Sequence, residues 1–280
     1  MKNKRDGRKI SLWKYVQNFF GFMILLVIII GGINFWEDQK QIDQKKEMIQ
    51  EKEADQLTAS SLLAGVKYDY TIASSTVLAK YQTLFKKNQD LIGWLMIPDS
   101  NIDYPVMQTK EDEDYYLSYD FEKNKNENGC LILDSDSNAG VGTKEKGYLN
   151  QNRPSTNLII HGHTMKSGEM FGKLSLFNTK EYGHSHKLIY FDSLYEKRTY
   201  ELISVFYSQV FYQDQNVFKY YKFFQANSES DFQDWYTNIK KMSLYDTGVT
   251  AEWGDEFITL SCCSYQVEDG RFVVIGKRIR

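Results

Sequence analysis

The longest apolar stretch of the chain lies near its N-terminus, from Phe19 to Trp36, where Asn34 is the only polar residue. About 18 apolar residues in a helix nearly span the hydrocarbon core of a bilayer. Basic residues precede this stretch, and Glu37 and Asp38 follow it. Because basic residues favour the cytoplasmic side, the pattern predicts a single-pass anchor in the cell membrane, with a cytoplasmic N-terminus and the rest of the chain outside.

The change in residue pattern along the chain predicts four segments. Residues 1–18 form a basic cytoplasmic segment and residues 19–36 a transmembrane signal-anchor. Residues 37–75 form a mostly polar, solvated stalk or linker, and residues 76–280 the folded domain. Residues 1–75 are therefore expected to serve targeting and not folding. A cleaved signal peptide is the alternative for the N-terminus, but no A-x-A-like cleavage site follows the apolar stretch.

Within the folded domain, the hydrophobic pattern predicts many short strands and few helices. A short amphipathic helix is expected over 76–88, and a four-turn helix over 229–242 that begins with the capping box Ser228-x-x-Asp231. Strands are expected at 91–97, 129–137, 156–163, 187–192, 199–208, 256–263 and 271–279, with further extended chain after Pro98. This arrangement predicts a mainly β domain that closes into an antiparallel or mixed barrel.

Composition and charge exclude some classes of function. The net charge of −3 gives no reason to expect a nucleic-acid partner. Three cysteines, Cys130, Cys262 and Cys263, are too few for a disulfide framework. A cysteine kept at a special position outside the cytoplasm is therefore a candidate reactive group.

The alternation of side chains along strand 256–263 distinguishes the two adjacent cysteines. Cys262 shares a face with Ile258 and Leu260, which is typical of a packed structural cysteine. Cys263 shares the other face with Thr259 and Ser261 and lies at the strand end, where a side chain can reach solvent. This parity favours Cys263 as the nucleophile, although both could be small core residues.

A cysteine nucleophile needs a cation or an acid–base partner nearby. Arg271 opens the strand after Cys263, so the two residues flank one hairpin mouth, where a guanidinium could favour the thiolate and bind an oxyanion. His161 and His163 end a strand on the same face, so alternation does not choose between them, and Gly162 between them indicates a bend or close backbone approach. His184 and His186 lie in a loop-like stretch. Two H-x-H pairs could hold zinc, but other ligands at typical spacing are missing, and no metal or cofactor is expected.

These residues together resemble the sortase family, and within it class B. The sortase signature T-L-x-T-C matches Thr259, Leu260, Ser261 and Cys263, with Cys262 in place of the usual Thr. Arg271 follows a short loop, and a histidine after glycine at a strand end selects His163. The class B resemblance comes from the helix before LIGWLMIP, the run at 163–171 and the helix at 229–242.

The resemblance implies a closed eight-stranded sortase-type β-barrel with an N-terminal helix and an inserted helix before the catalytic strand. It implies a cysteine transpeptidase in which His163, Cys263 and Arg271 are catalytic and Thr259, Leu260 and Ser261 contact substrate. The implied partners are secreted proteins with C-terminal sorting signals and an amine of a cell-wall precursor or a pilin. A cysteine hydrolase of wall peptides and a non-catalytic, membrane-tethered binding module are the alternatives.

Overall fold

The computed structural model describes residues 6–63 and 76–280. Lys2, Lys4 and Arg5 of the predicted basic segment, and residues 64–75 of the predicted linker, lie outside the described residues. The chain divides into two units, Met1–Gln44 and Lys45–Arg280. Helix α1 extends from Asp6 to Leu63 and contains the whole apolar stretch. Within the described residues, α1 is the one helix whose length and composition would allow it to cross a membrane.

The second unit contains short helices and ten strands among the described residues. The helices are α2 (Gln82–Lys87), α3 (Lys180–Ser185) and α4 (Glu229–Met242). The strands are β1 (Leu91–Met96), β2 (Asp103–Met107), β3 (Leu131–Leu133), β4 (Gly142–Thr143), β5 (Gly147–Tyr148), β6 (Asn157–Gly162), β7 (Leu188–Ser193), β8 (Lys197–Gln209), β9 (Phe257–Cys263) and β10 (Gly270–Arg278). Helical residues outnumber strand residues overall, because α1 alone contributes 58 residues.

Eight of these strands close into a barrel in the order β1-β2-β3-β6-β9-β10-β8-β7. The pairs β2–β3 and β6–β9 are parallel and the other pairs are antiparallel, so the barrel is mixed. Strands β4 and β5 form a separate two-stranded sheet. The closed eight-stranded barrel confirms the fold predicted from the sequence.

The barrel has an apolar interior and a second apolar layer outside it. Alternate residues of β9 and β10, including Ile258, Leu260 and Val274, point into the interior core. The other set, including Phe257 and Val273, faces outward and packs beneath α4. This division follows the period of two along each strand, and both faces are apolar here because both are covered.

Helix α4 has the bounds that the sequence predicts, Glu229 to Met242. The Ser228 hydroxyl accepts a hydrogen bond from the backbone N–H of Asp231 at 3.1 Å, as the capping box requires. Phe232, Trp235 and Ile239 are buried against β8, β9 and β10. The inserted helix therefore covers the outer face of the strand that carries the two cysteines.

Three local predictions differ from the structure. The helix expected over 76–88 is a 3₁₀ turn, Ala79–Tyr81, followed by α2. The strand expected over 129–137 is limited to β3, because the Asp134 carboxylate accepts a hydrogen bond from Asp136 N–H at 3.0 Å and turns the chain. His184 lies in α3 and not in a loop.

The part of α1 that belongs to the second unit contacts the barrel. Met48 and Ile49 pack against the cluster that contains Trp94, and Lys52 Nζ lies 4.1 Å from the centre of the Trp94 ring. Asp55 accepts hydrogen bonds from the backbone N–H and the hydroxyl of Thr83. The sequence predicts a solvated stalk for this part of α1, and its residue pattern does not reveal these contacts with the barrel.

Truncation tests whether the folded domain begins at residue 76 or at residue 45. We expect a chain that begins at residue 76 to be less stable than one that begins at residue 45 by about 2 kcal/mol, because it loses the half-buried side chains of Met48 and Ile49. For a domain of this size, that difference lowers the Tm by about 5 °C. Thermal unfolding of the two purified proteins measures it, and equal Tm values would support the boundary at residue 76.

Candidate active site

The ends of β6, β9 and β10 bring three of the predicted site residues together. In the parallel β6–β9 pair, His161 lies opposite Ser261 and Gly162 opposite Cys262. In the antiparallel β9–β10 pair, Cys263 lies opposite Arg271. Directly opposed residues have Cβ atoms about 5 Å apart, so the thiol and the guanidinium start from neighbouring positions on one face.

A cavity of about 400 Å³ opens at these strand ends. The cavity is lined by the residues His163, Cys263, Arg271 and Ser261, together with His161 and Cys262. Its remaining walls come mainly from the segments after β2, β3 and β8, and these include four carboxylates and one lysine: Glu113, Asp114, Asp134, Asp136 and Lys222. One cavity therefore contains a thiol, two imidazoles and a guanidinium.

The environments of the two cysteines differ. Cys262 is 2% exposed and packs in the barrel interior with Ile258 and Leu260, as strand alternation predicts. Burial raises the pKa of its thiol to about 11, so the thiolate is scarce at neutral pH. Cys263 is half-buried on the opposite face. Of the two neighbours, Cys263 is the thiol that solvent can reach.

Gly162 allows the backbone of β6 to approach the barrel interior. A Cβ atom at this position would lie 2.4 Å from Leu131 Cδ2 and 2.7 Å from Phe171 Cδ2, so any other residue would have to displace these two buried side chains. The close approach inferred from the H-G-H sequence is therefore present. Because Gly162 points inward, His161 and His163 both point outward, toward the face that holds Cys263.

The two histidines have different hydrogen-bond partners. His163 Nε2 lies 2.9 Å from the backbone oxygen of Leu117, and because a carbonyl only accepts, Nε2 donates to it. That bond fixes the tautomer and leaves Nδ1 for proton transfer. His161 Nε2 lies 2.9 Å from Asp134 Oδ2, so this ring is held by a carboxylate. Strand parity did not separate the two histidines, whereas these partners do.

Arg271 has local backbone partners. Its Nη1 donates to the carbonyl oxygen of Gly270 at 3.0 Å and to that of Asp269 at 3.3 Å. Gly270 closes the hairpin between β9 and β10, and a Cβ there would lie 2.4 Å from Ser264 O. The tight hairpin keeps Arg271 next to Cys263.

The three residues predicted to contact substrate lie in different places. Ser261 lines the cavity, and its hydroxyl is 2.7 Å from that of Tyr220. Thr259 and Leu260 do not line it. Both are fully buried, Thr259 with its hydroxyl donating to Asn157 Oδ1 at 2.8 Å and Leu260 in the barrel core. Because they lie deeper along β9 than Ser261, their side chains support the strand.

Several groups at the cavity were not predicted from the sequence. Asp134 could have been predicted as a polar residue at a strand end, because it follows an aliphatic strand. The structure pairs that strand, β3, with the histidine strand β6. Tyr220 lies in a run of aromatic and lysine residues without regular spacing, so no such prediction was possible for it. The carbonyl of Leu117 is a backbone atom, which no residue pattern reveals.

Comparison with known proteins agrees with this geometry. No protein-family model matches the chain. It is 31% identical to sortase B of Listeria monocytogenes over 274 residues, which cover 94% of this chain and 98% of that protein. The chain belongs to the sortase B family. It is also 26% identical to sortase B of Staphylococcus aureus, over 92% of this chain and 95% of that protein.

The fold also matches solved structures of the family. The crystal structure of Bacillus anthracis sortase B superimposes with a TM-score of 0.60 and 28% identity, over 74% of this chain and 88% of that structure. Sortase B proteins are cysteine transpeptidases that anchor surface proteins, and this chain is an enzyme of that class. The sortase resemblance inferred from the sequence is confirmed.

The difference between the two thiols leads to a test by alkylation. With iodoacetamide at pH 7, we expect the adduct to form on Cys263, whereas Cys262 stays unmodified because its thiol is buried and its pKa is raised. Peptide mapping by mass spectrometry identifies the modified residue. Cys262→Thr is the control and should alkylate at the wild-type rate. An adduct that persists in Cys263→Ala and disappears in Cys262→Ala would reverse the assignment.

Proposed function

We propose that this enzyme cleaves a C-terminal sorting signal with an L/N-P-x-T-like motif and transfers the protein to an amine. Cys263 attacks the carbonyl carbon of the motif's Thr, the C–N bond to the next residue breaks, and a thioester forms. His163 gives its proton to the leaving amine, and Arg271 stabilises the oxyanion. The observation that carries the proposal is that these three side chains line one cavity, with Arg271 directly opposite Cys263.

The contacts of each residue support its proposed role. The bond from His163 Nε2 to Leu117 O orients the ring, as a general acid–base requires. A guanidinium has five N–H donors, and the two backbone contacts of Arg271 involve Nη1 alone, so its fork remains suited to an oxyanion. Ser261 and Tyr220 form a polar wall beside them.

The proposed partners follow from the two halves of the reaction. The acyl donor is a secreted protein with a sorting signal, and the acceptor is an amine of a cell-wall precursor or of a pilin lysine. Amine transfer returns the proton to His163 and releases Cys263 as thiolate. Hydrolysis of the same thioester by water is the competing outcome.

We further propose that α1 anchors the enzyme in the cell membrane with its N-terminus in the cytoplasm. The side chains of Phe19, Phe22 and Ile28 are exposed on α1, as lipid contact requires. The excess of basic residues before the apolar stretch supports the orientation. Protease added to intact cells should digest the barrel and leave the N-terminal segment, and full protection of the barrel would contradict this orientation.

Intact mass spectrometry with sorting-signal peptides tests the reaction. We expect one peptide of an L/N-P-x-T panel to leave an acyl adduct on Cys263, and an added amine to convert that adduct into an amide product. The thioester is resolved by an amine more readily than by water if the enzyme is a transpeptidase. An adduct that water resolves at the same rate with and without amine would indicate a hydrolase.

Variants of the neighbouring residues provide the controls for this assay. We expect His163→Ala to abolish turnover and His161→Ala to retain part of it, because His161 is held by Asp134. We expect Arg271→Lys to lose about 10²-fold in rate, because the planar fork of donors is lost while the charge is kept. Near-normal turnover in His163→Ala, with loss in His161→Ala, would exchange the roles of the two histidines.

A further inference from the structure

A continuous set of polar contacts joins α1 to the segment that connects His163 with the barrel core. We propose that Lys45 and Glu169 are a positioning pair, which holds residues 163–171 in place and so keeps His163 aligned with Cys263. Neither residue lines the cavity. The kinetic test of this pair rests on the proposed function, whereas the hydrogen-exchange test does not depend on the reaction.

The contacts begin at a cluster of three side chains. Lys45 Nζ donates to Glu169 Oε2 at 2.6 Å and to the Tyr104 hydroxyl at 3.1 Å, and that hydroxyl also donates to Glu169 Oε2. The side chains of Lys45 and Glu169 are each only 13% exposed. Burial opposes ionisation of Glu169, but the hydrogen bonds from Lys45 and Tyr104 outweigh it and lower its pKa. Loss of Lys45 would leave a poorly solvated carboxylate without its cation.

The cluster is tied to the backbone of the segment after His163. The Tyr104 hydroxyl accepts a hydrogen bond from Met170 N–H at 3.0 Å. Phe171, the next residue, donates its N–H to the carbonyl oxygen of His163 at 3.0 Å and is fully buried in the barrel core. A movement of Glu169 is therefore passed to the backbone of His163 over two residues.

The same segment is tied directly to the strand of the nucleophile. The Thr164 hydroxyl donates to the carbonyl oxygen of Cys263 at 2.7 Å. Thr164 also pairs with Met170 in an isolated β-bridge. One end of this closed segment thus fixes His163 and Cys263 relative to each other, and the other end is held by Glu169. A chain of satisfied hydrogen bonds of this kind restricts a segment to one arrangement.

Lys52 provides a matched control on the same helix. Its Nζ lies 3.2 Å from Asp103 Oδ1 and 4.1 Å from the Trp94 ring centre, so it also holds α1 against the barrel. Its side chain is as buried as that of Lys45, with 15% exposed. Asp103 and Trp94 both lie outside residues 163–171. If α1 only supported the barrel in general, replacing Lys45 and replacing Lys52 would lower kcat equally.

Steady-state kinetics of the full-length enzyme tests the pair. With a sorting-signal peptide and an amine acceptor, we expect Lys45→Met and Glu169→Gln each to lower kcat by about tenfold, with KM changed less than about twofold. The reason is that a small misplacement of a catalytic group slows the chemical step more than it weakens binding. Lys45→Arg should keep the wild-type kcat, because it retains the charge. Lys52→Met should also keep it.

Further outcomes decide whether the two residues act as one unit. The double variant Lys45→Met/Glu169→Gln should be no slower than the slower single variant, whereas losses that multiply would overturn the pair. Unchanged kcat in Lys45→Met, or an equal loss in Lys52→Met, would also overturn it.

Hydrogen exchange separates this proposal from the proposed function. We expect the amides of Met170 and Phe171 to exchange faster in Lys45→Met than in the wild-type enzyme, and at the wild-type rate in Lys52→Met. This measurement needs no substrate, so it tests the pair even if no peptide of the panel is cleaved. Unchanged exchange in Lys45→Met would overturn the proposal, whereas lack of peptide cleavage alone would count only against the proposed function.

Discussion

The parallel pairing of β6 with β9 determines where the proposed catalytic side chains lie. His161 is opposite Ser261 and Gly162 is opposite Cys262, so one shared face receives the two histidines and Cys263. A slip by one residue would turn Cys263 into the barrel interior and Cys262 out of it, since successive side chains of a strand point to opposite faces. In β6 the interior opposes an equivalent slip, because a side chain in place of Gly162 would have to displace the buried side chains of Leu131 and Phe171.

The same constraint explains how two adjacent thiols come to lie in different environments. Cys262 lies where the family signature usually has Thr, and its side chain packs among aliphatic residues. Burial there raises its pKa and blocks access. Cys263 differs by one position and lies on a face with a cavity, opposite Arg271. Position along the strand therefore gives the two thiols different environments.

Polar contacts outside the cavity complete the arrangement. Residues 163–171 are bound to the Cys263 backbone at one end and to the Lys45–Glu169–Tyr104 cluster at the other. Residues of α1 from Lys45 to Asp55 therefore contribute to the unit that contains the barrel. A helix that looked like a polar stalk supplies the cation of a partly buried ion pair.

The sequence by itself determined most of the barrel strands, helix α4, the family and the face on which each cysteine lies, because each depends on local information. Periodicity and capping predicted α4 to the residue, and strand alternation placed Cys262 with Ile258 and Leu260. Only the tertiary structure decided that His163 donates to Leu117 O and His161 to Asp134, or that Met48 and Ile49 pack on the barrel. Those contacts join residues distant in the chain, and the partner is in one case a backbone atom. Alternation reveals which face a side chain occupies, but not which distant group the fold places opposite it.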